Sequence, residues 1–460
     1  MSSAGLLSSL ANSPAYGADV SGYKALVCVF FKGGMDHADT VLPYDQASYN
    51  ELATIRESLF NAYNADSGAS SRNRSNLLQL AADNGGNFGG RQFALPPELS
   101  PLHQLFESGD MAIVGNVGPL VEPTTRTQMD DNLVPLPPRL FSHNDQQSTW
   151  TALRPEGSRF GWGGRFADMA LASAPNDNPV FSAISASGNE VFLSGENARQ
   201  FRVSSGGGAP IDVLDKRSLR GSGRDSDVLV EVLEQHFASE GINPANLFEQ
   251  DVANFNRRAS ENNELYRTAV ETALPLTTTF PDSSLGRQLR SVAETISIRG
   301  ALNTSRQVYF VSTGGFDTHN NQANSLPGLH GNFAASIAAF HAAMTELGEQ
   351  NNVTLFTASD FGRTTIDNGD GTDHGWGAHH FVVGGAVNGR NIYGELPGFD
   401  LGAEHFTKSR GRLIPAVSVE QYAATLGSWF GLSGSELSTV LPNLGNFNTS
   451  NLGFMGGGTT

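Results

Sequence analysis

Acids and histidines fall at four places where the chain turns after an apolar run. Asp36 follows Lys24–Phe31 in Lys-Gly-Gly-Met-Asp-His-Ala-Asp, and Asp317 and His319 follow Arg306–Ser312 in Thr-Gly-Gly-Phe-Asp-Thr-His. Asp360 follows Val353–Thr357 in Ala-Ser-Asp-Phe-Gly-Arg. The fourth place, Gly371–Phe381, puts three of the 11 histidines into the seven residues that begin at His374. Carboxylate oxygens suit hard divalent cations, and imidazole adds affinity for zinc-like ions. Glycines in such turns let side chains from distant parts of the chain approach one point. Ser142 and His143, at the start of a predicted helix, add a hydroxyl and another imidazole, and Arg363 adds a guanidinium suited to a phosphate-like anion. The expectation is that Asp36, Asp317, His319, Asp360 and His374 hold one or two divalent ions (zinc, calcium, magnesium or manganese). Arg363 is the expected anion-binding group.

Bringing these turns together needs a sheet whose strands end on a common edge. Lys24–Phe31 is apolar without alternation, as a strand buried on both faces of a parallel sheet should be. In open parallel sheets ligands bind beyond the carboxyl ends of the strands, where loops from several elements gather. Further strands are predicted at Met111–Gly115, Arg306–Ser312, Val353–Thr357 and Phe381–Gly385, with helices at Pro101–Ser108 and Leu329–Gly348. Ser418 and Gln421 form a capping box for a last helix through Phe430. This α/β alternation is interrupted at about 204–303 by a Gly/Ser/Arg-rich stretch and helical patterns, Val228–Phe237 the clearest, read as a helical cap or insertion. The whole reads as one domain over 23–447, with a lead-in at 1–22 and a flexible tail at 448–460.

Composition narrows the partners. The net charge is −17, and the basic residues are 29 in all. That argues against nucleic acid, which needs a basic footprint, and against an anionic membrane surface. Nothing approaches the length of a membrane-spanning helix. A single cysteine, Cys28, rules out an intramolecular disulfide and reads as a small buried side chain. The start, with Ala-Gly-Leu-Leu-Ser-Ser-Leu-Ala and then Ala-Tyr-Gly-Ala, reads as the back half of a signal peptide. Asp39, His37, His379 and His380 are weaker candidates that turn polarity or core packing would equally explain. Trp150 and Trp376 read as packing, and the remaining histidines carry no assigned role.

Several of these motifs, in order, resemble a bacterial family called domain of unknown function 1501. They are Phe30-Phe-Lys-Gly-Gly-Met-Asp-His-Ala-Asp, Ser142-His-Asn-Asp-Gln-Gln, Gly314-Gly-Phe-Asp-Thr-His, Asp360-Phe-Gly-Arg and Thr372-Asp-His-Gly-Trp-Gly. Val417-Ser-Val-Glu-Gln-Tyr-Ala-Ala-Thr-Leu and Leu441-Pro-Asn-Leu resemble its usual ending. The resemblance implies an alkaline-phosphatase-like three-layer sandwich with a mostly parallel central sheet, and export to the periplasm or beyond by the twin-arginine route. It also implies metal ions at the strand ends and a Ser, Thr or modified Cys nucleophile. Asp36, Asp317 with His319, Asp360 and His374 match metal-ligand positions, whereas Phe361 stands where a histidine is usual. The nucleophile position falls on Ser142 or His143. Family membership implies no reaction; the acids ending three strands and the histidine-rich turn lead to the expectation of metal-dependent hydrolysis of phosphate or sulfate esters on an anionic small-molecule or glycan substrate. The alternatives are a non-catalytic binding or assembly protein on the same scaffold, and a glycan-modifying enzyme acting on extracellular polysaccharide.

Overall fold

The computed structural model describes residues 18–456, apart from 66–70, 174–175, 177, 205–206, 209–231 and 233–246. The signal-like start up to Gly17, the predicted helix at Val228–Phe237 apart from Val232, and the last four residues lie outside the described residues.

Strand β1 (Lys24–Phe31) is buried from Ala25 onward. Ala25, Val27, Val29 and Phe31 enter one apolar cluster, while Leu26, Cys28 and Phe30 enter a second. Both faces of the strand are therefore covered, which is why its sequence shows no alternation. The sheet continues with β2 (Met111–Gly118), β3 (Ala183–Ser185), β4 (Phe201–Ser204), β5 (Gly207–Gly208), β6 (Arg306–Thr313), β7 (Val353–Ser359), β8 (Ala378–Val383), β9 (Ile392–Gly394) and β10 (Val417–Ser418). Its order is β9-β2-β8-β7-β1-β6-β3-β4-β5, with β10 also paired to β2. Strands β6 and β7 flank β1 in parallel, and only β8 and β5 run against the direction of their neighbours.

The helices that matter below are α1 (His37–Thr40), α2 (Gln46–Ile55), α3 (His143–Ala152), α4 (Trp162–Ala172), α5 (Leu247–Thr272), α6 (Ser284–Ser297), α7 (Gln322–Glu346) and α8 (Val419–Phe430). Leu285, Leu289, Val292 and Ile296 of α6 and Phe333, Ile337 and Phe340 of α7 fill the first cluster. Phe166 and Ala170 of α4 and Tyr422, Leu426 and Phe430 of α8 fill the second. The result is the expected α/β three-layer sandwich with a mostly parallel sheet. Helix α6 falls within the stretch read as an insertion and lies on the sheet face itself. Among the described residues, no helix is long and apolar enough to cross a membrane.

Two element boundaries differ from the sequence reading, each for a visible reason. Helix α7 begins at Gln322, before Pro327, rather than at Leu329. The buried Gln322 accepts from the Thr318 and Thr372 hydroxyls at 2.9 and 2.8 Å and donates to Asp36 at 2.7 Å. Those three bonds offset the backbone bond that proline cannot make. Strand β8 begins at Ala378, so His379 and His380 lie inside the sheet. His380 Nδ1 meets Thr357 Oγ1 at 3.1 Å, and burial brings its pKa down to about 3. Both histidines sit in the core.

One buried acid gives the fold a pH dependence. Glu420, in the first turn of α8, is 2% exposed and accepts two hydrogen bonds from Asn443. Burial nevertheless raises its pKa from 4.5 to about 7. The folded chain therefore keeps a proton that the unfolded chain releases, and stability falls as pH rises between those two values. The loss amounts to at most about 3 kcal/mol. Thermal unfolding followed from about pH 5 to 8 should show Tm falling, and Glu420→Gln should flatten the slope. Parallel profiles for the two proteins would refute the assignment.

Candidate metal centre

The registers of β1, β6 and β7 set the site. Phe31 pairs with both Thr313 and Ser359, so the three strands end at one level and their acidic turns start side by side. Gly33 and Gly34 follow β1 with φ of +120° and +106°. A side chain at Gly33 would strike the backbone of Phe316 and Asp317, and one at Gly34 would meet the Phe361 ring. Glycine is what lets the first turn close on the other two. A small antiparallel bridge between Arg363 and His374 then brings the histidine-bearing turn onto the same edge.

Three atoms converge there. His319 Nε2 and His374 Nε2 lie 2.9 Å apart, and Asp317 Oδ1 lies 3.1 Å from the first and 3.2 Å from the second. The other ring nitrogens decide what these atoms carry. His374 Nδ1 is 2.8 Å from the Phe141 carbonyl oxygen, which can only accept, so Nδ1 holds the hydrogen. His319 Nδ1 faces Asp373 Oδ1 at 3.1 Å. Burial would raise the Asp373 pKa, but Asn368, His319 and Arg410 outweigh it and hold it low, so this oxygen also accepts. In the neutral rings both Nε2 atoms are therefore bare lone pairs, set against each other and against an anionic oxygen. Such an arrangement is repulsive without a cation between the three. Burial lowers the His374 pKa, and the His143 and Arg363 charges act in the same direction, which disfavours a proton on His374 Nε2. Ligands at zinc–nitrogen distances of ~2.0–2.1 Å in a tetrahedral shell are spaced by about 3.3 Å. The set fits a metal ion.

Asp317 is held in place from one side. Arg363 Nη1 donates to its Oδ1 at 2.7 Å. Burial alone would raise the Asp317 pKa, and the Arg363 bond and charge reverse the shift. His143, in the first turn of α3, completes the edge: His143, Asp317 and His374 each offer one atom within 4.8 Å of the others. His143 Nδ1 lies 2.6 Å from Asp360 Oδ2, which also accepts from the Gly33 N–H at 3.1 Å and from Gln147 Nε2 at 3.0 Å. The Asp360 bond raises the His143 pKa. The other oxygen, Asp360 Oδ1, is buried without a hydrogen-bond partner among the described residues. Phe361 is a wall, its ring 4.8 Å from that of His143 and 4.6 Å from that of His374.

Besides Asp360, expected as a metal ligand and bonded to His143, three more residues expected in the site have side chains committed to protein partners. Asp36 is 1% exposed, and its two oxygens take a forked pair from Arg56 at 2.7 and 2.8 Å, with Gln322 as a third donor. Arg363 is fully buried, and four of its five N–H donors go to Asp317, the Gly33 carbonyl and Thr372, which fixes it against Asp317. The Ser142 hydroxyl donates to Asp145 at 2.9 Å, within its own helical turn.

The sequence between 23 and 441 matches the model of a family described as a protein of unknown function, DUF1501. The chain belongs to the DUF1501 family. No curated protein matches this DUF1501 member. Solved structures similar to it include the PsFucS1 sulfatase from Pseudoalteromonas sp., at 9% identity and TM-score 0.35 over 94% of this chain and 70% of that one. The C-terminal periplasmic domain of EcEptC from Escherichia coli is similar at 9% identity and TM-score 0.32, over 96% and 90%. A mutant of TAB5 alkaline phosphatase is similar at 9% identity and TM-score 0.28, over 92% and 98%.

In this DUF1501 member several site residues carried no signal of their own. Gln147 was findable as the residue one helical turn after His143. Asp373 adjoins His374, but nothing local marks it as the partner of His319. The Phe141 carbonyl owes its aim to a backbone φ of +74°, unusual for a bulky residue, with the Arg412 guanidinium 4.3 Å from the ring centroid. Outer partners of this kind set the tautomer and orientation of a ligand histidine. Asp373→Asn should therefore lower zinc affinity by about 10- to 100-fold, read by competition with a chromogenic chelator. Unchanged affinity would show that Asp373 does not orient His319.

Proposed function

We propose that this chain is a divalent-metal-dependent hydrolase of phosphate or sulfate esters, with Asp317, His319 and His374 as metal ligands. The observation that carries the reading is the pair of bare imidazole nitrogens 2.9 Å apart beside a carboxylate oxygen. Two imidazoles with one carboxylate favour a zinc-like ion over magnesium or calcium, which prefer all-oxygen shells. Three protein ligands are the number found in catalytic zinc sites, where one position stays open. A bound ion would polarise a non-bridging ester oxygen and lower the pKa of a coordinated water.

The remaining roles belong to side chains. Asp360 holds the His143 Nδ1–H and leaves Nε2 facing the same space, 3.5 Å from Asp317 Oδ2. The Asp360 bond raises the His143 pKa, which suits His143 to act as the acid that protonates the leaving oxygen. Water is the nucleophile in this reading, because the Ser142 hydroxyl is committed to Asp145. Arg363 positions Asp317. Export belongs to the same proposal and rests on the family resemblance and the small-residue start.

Metal analysis after dialysis, with a panel of aryl phosphates and sulfates before and after chelation, tests the whole. One zinc-like ion per chain and chelator-sensitive turnover are expected. No stoichiometric ion and no turnover would sink the reading.

A further inference from the structure

Beside the acidic turns lies a pocket of about 270 Å³. Helix α3 lines it with Asn144, Gln147, Ser148 and Thr151, residues that share one helical face. Lys32, from the turn after β1, and Glu190 also line it and pair with each other at 2.8 Å. Gln147 ties the pocket to the candidate centre. Its Nε2 donates to Asp360 Oδ2, the oxygen that also takes His143 Nδ1–H, and its Oε1 remains an acceptor.

The chemistry of the lining restricts the occupant. The Asn144 amide, the Ser148 hydroxyl and the lining Glu156 carboxylate have no side-chain partner among the described residues. Donors and acceptors are thus interleaved, and one lysine stands against two glutamates. A phosphate or sulfate group would be repelled here. A hydroxyl group, which both donates and accepts, is matched throughout. The volume is just below the usual range of small-molecule pockets and suits a single ring. We propose that this pocket binds the uncharged ring of a pyranose unit of a glycan, presenting an anionic ester on that unit to the adjacent centre. The proposal rests on the ester-hydrolase reading for its chemistry, but the sugar contact is measurable by itself.

Saturation-transfer NMR on the zinc-loaded full chain, with methyl β-D-galactopyranoside, methyl β-D-glucopyranoside and choline as probes, tests it. Ring-proton signals from at least one glycoside are expected. Asn144→Ala should weaken binding about tenfold. Ser148→Trp, which fills the pocket, should remove the signals while leaving zinc stoichiometry unchanged. No glycoside signal, a signal indifferent to both variants, or a Ser148-dependent signal from choline alone would each overturn the proposal. Kinetics separate the two readings. Ser148→Trp should raise KM for a galactose sulfate and leave an aryl sulfate untouched. Sugar binding that Ser148→Trp abolishes, with no ester turned over, would support the subsite and overturn only the hydrolase reading.

Discussion

Asp317→Asn is expected to lower zinc affinity by about a hundredfold or more and to abolish chelator-sensitive ester hydrolysis, with the fold intact. Zinc binding at structural sites is worth roughly 10–16 kcal/mol, so one ligand of four carries about 3 kcal/mol. Asparagine keeps an oxygen for Arg363 but removes the charge that the two Nε2 atoms surround. The Asp317 side chain is 43% exposed, so its loss leaves little unfilled space. Circular dichroism and urea unfolding should match wild type, while competition with a chelator and metal analysis report the loss. Full zinc occupancy in folded Asp317→Asn would remove Asp317 from the ligand set. His374→Ala and His319→Ala should behave in the same direction. His143→Ala should instead keep the metal and lose turnover, which separates a ligand from an acid.

Arg56→Ala should act on stability rather than on the metal. Asp36 and Arg56 are each 1% exposed, and Arg56 also donates to the Thr364 and Thr365 carbonyls at 2.8 Å. Removing the guanidinium leaves a buried carboxylate held only by Gln322 and the Ala38 N–H. Breaking such a pair costs about 3–5 kcal/mol, visible as a lower urea midpoint at constant slope. A double replacement, Asp36→Leu with Arg56→Met, should recover most of it, because two matched apolar groups avoid the unpaired charge. The pair also predicts an acid limb. Burial would raise the Asp36 pKa, but Arg56 overrides it and brings it from 3.8 down to about 2. A depressed carboxylate stabilises the fold fully above its unfolded value and stops doing so as pH falls through its folded value. Wild type should therefore lose about 2 kcal/mol as pH falls from about 4 to 2, and the double variant should not. Were Asp36→Asn to lose zinc at full stability, Asp36 would return to the ligand set.

These two experiments bear on how the residues divide. Asp36, Asp317 and Asp360 look alike in sequence, each an acid in a turn after a buried strand. In space one is closed by an arginine, one is exposed beside two histidines, and one is a buried prop for a third histidine. The partner that sets Asp36 apart, Arg56, comes from the residue after α2. Sequence reading assigned no partner to it, because nothing local in Ile55-Arg56-Glu57 points to a carboxylate 20 residues earlier. Gln322 was missed for a similar reason. It precedes Pro327, where a helix start seemed more natural than a continuation.

The amino-acid sequence by itself determined the layered α/β fold and the edge on which the candidate site sits. Unbroken β-branched and aromatic apolar runs fit strands covered on both faces, and the glycine-rich acidic turns that follow them then lie at the sheet's carboxyl end. Its family motifs also picked out Asp317, His319, His374 and His143. What only the tertiary structure decided is the state of each group. Whether a carboxylate is a ligand, an ion-pair partner or a tautomer-setting acceptor depends on which donors lie within about 3 Å of it. Those donors arrive from Arg56, Arg363 and Gln147, and the acceptor Asp373 turns His319, through contacts that chain order does not encode.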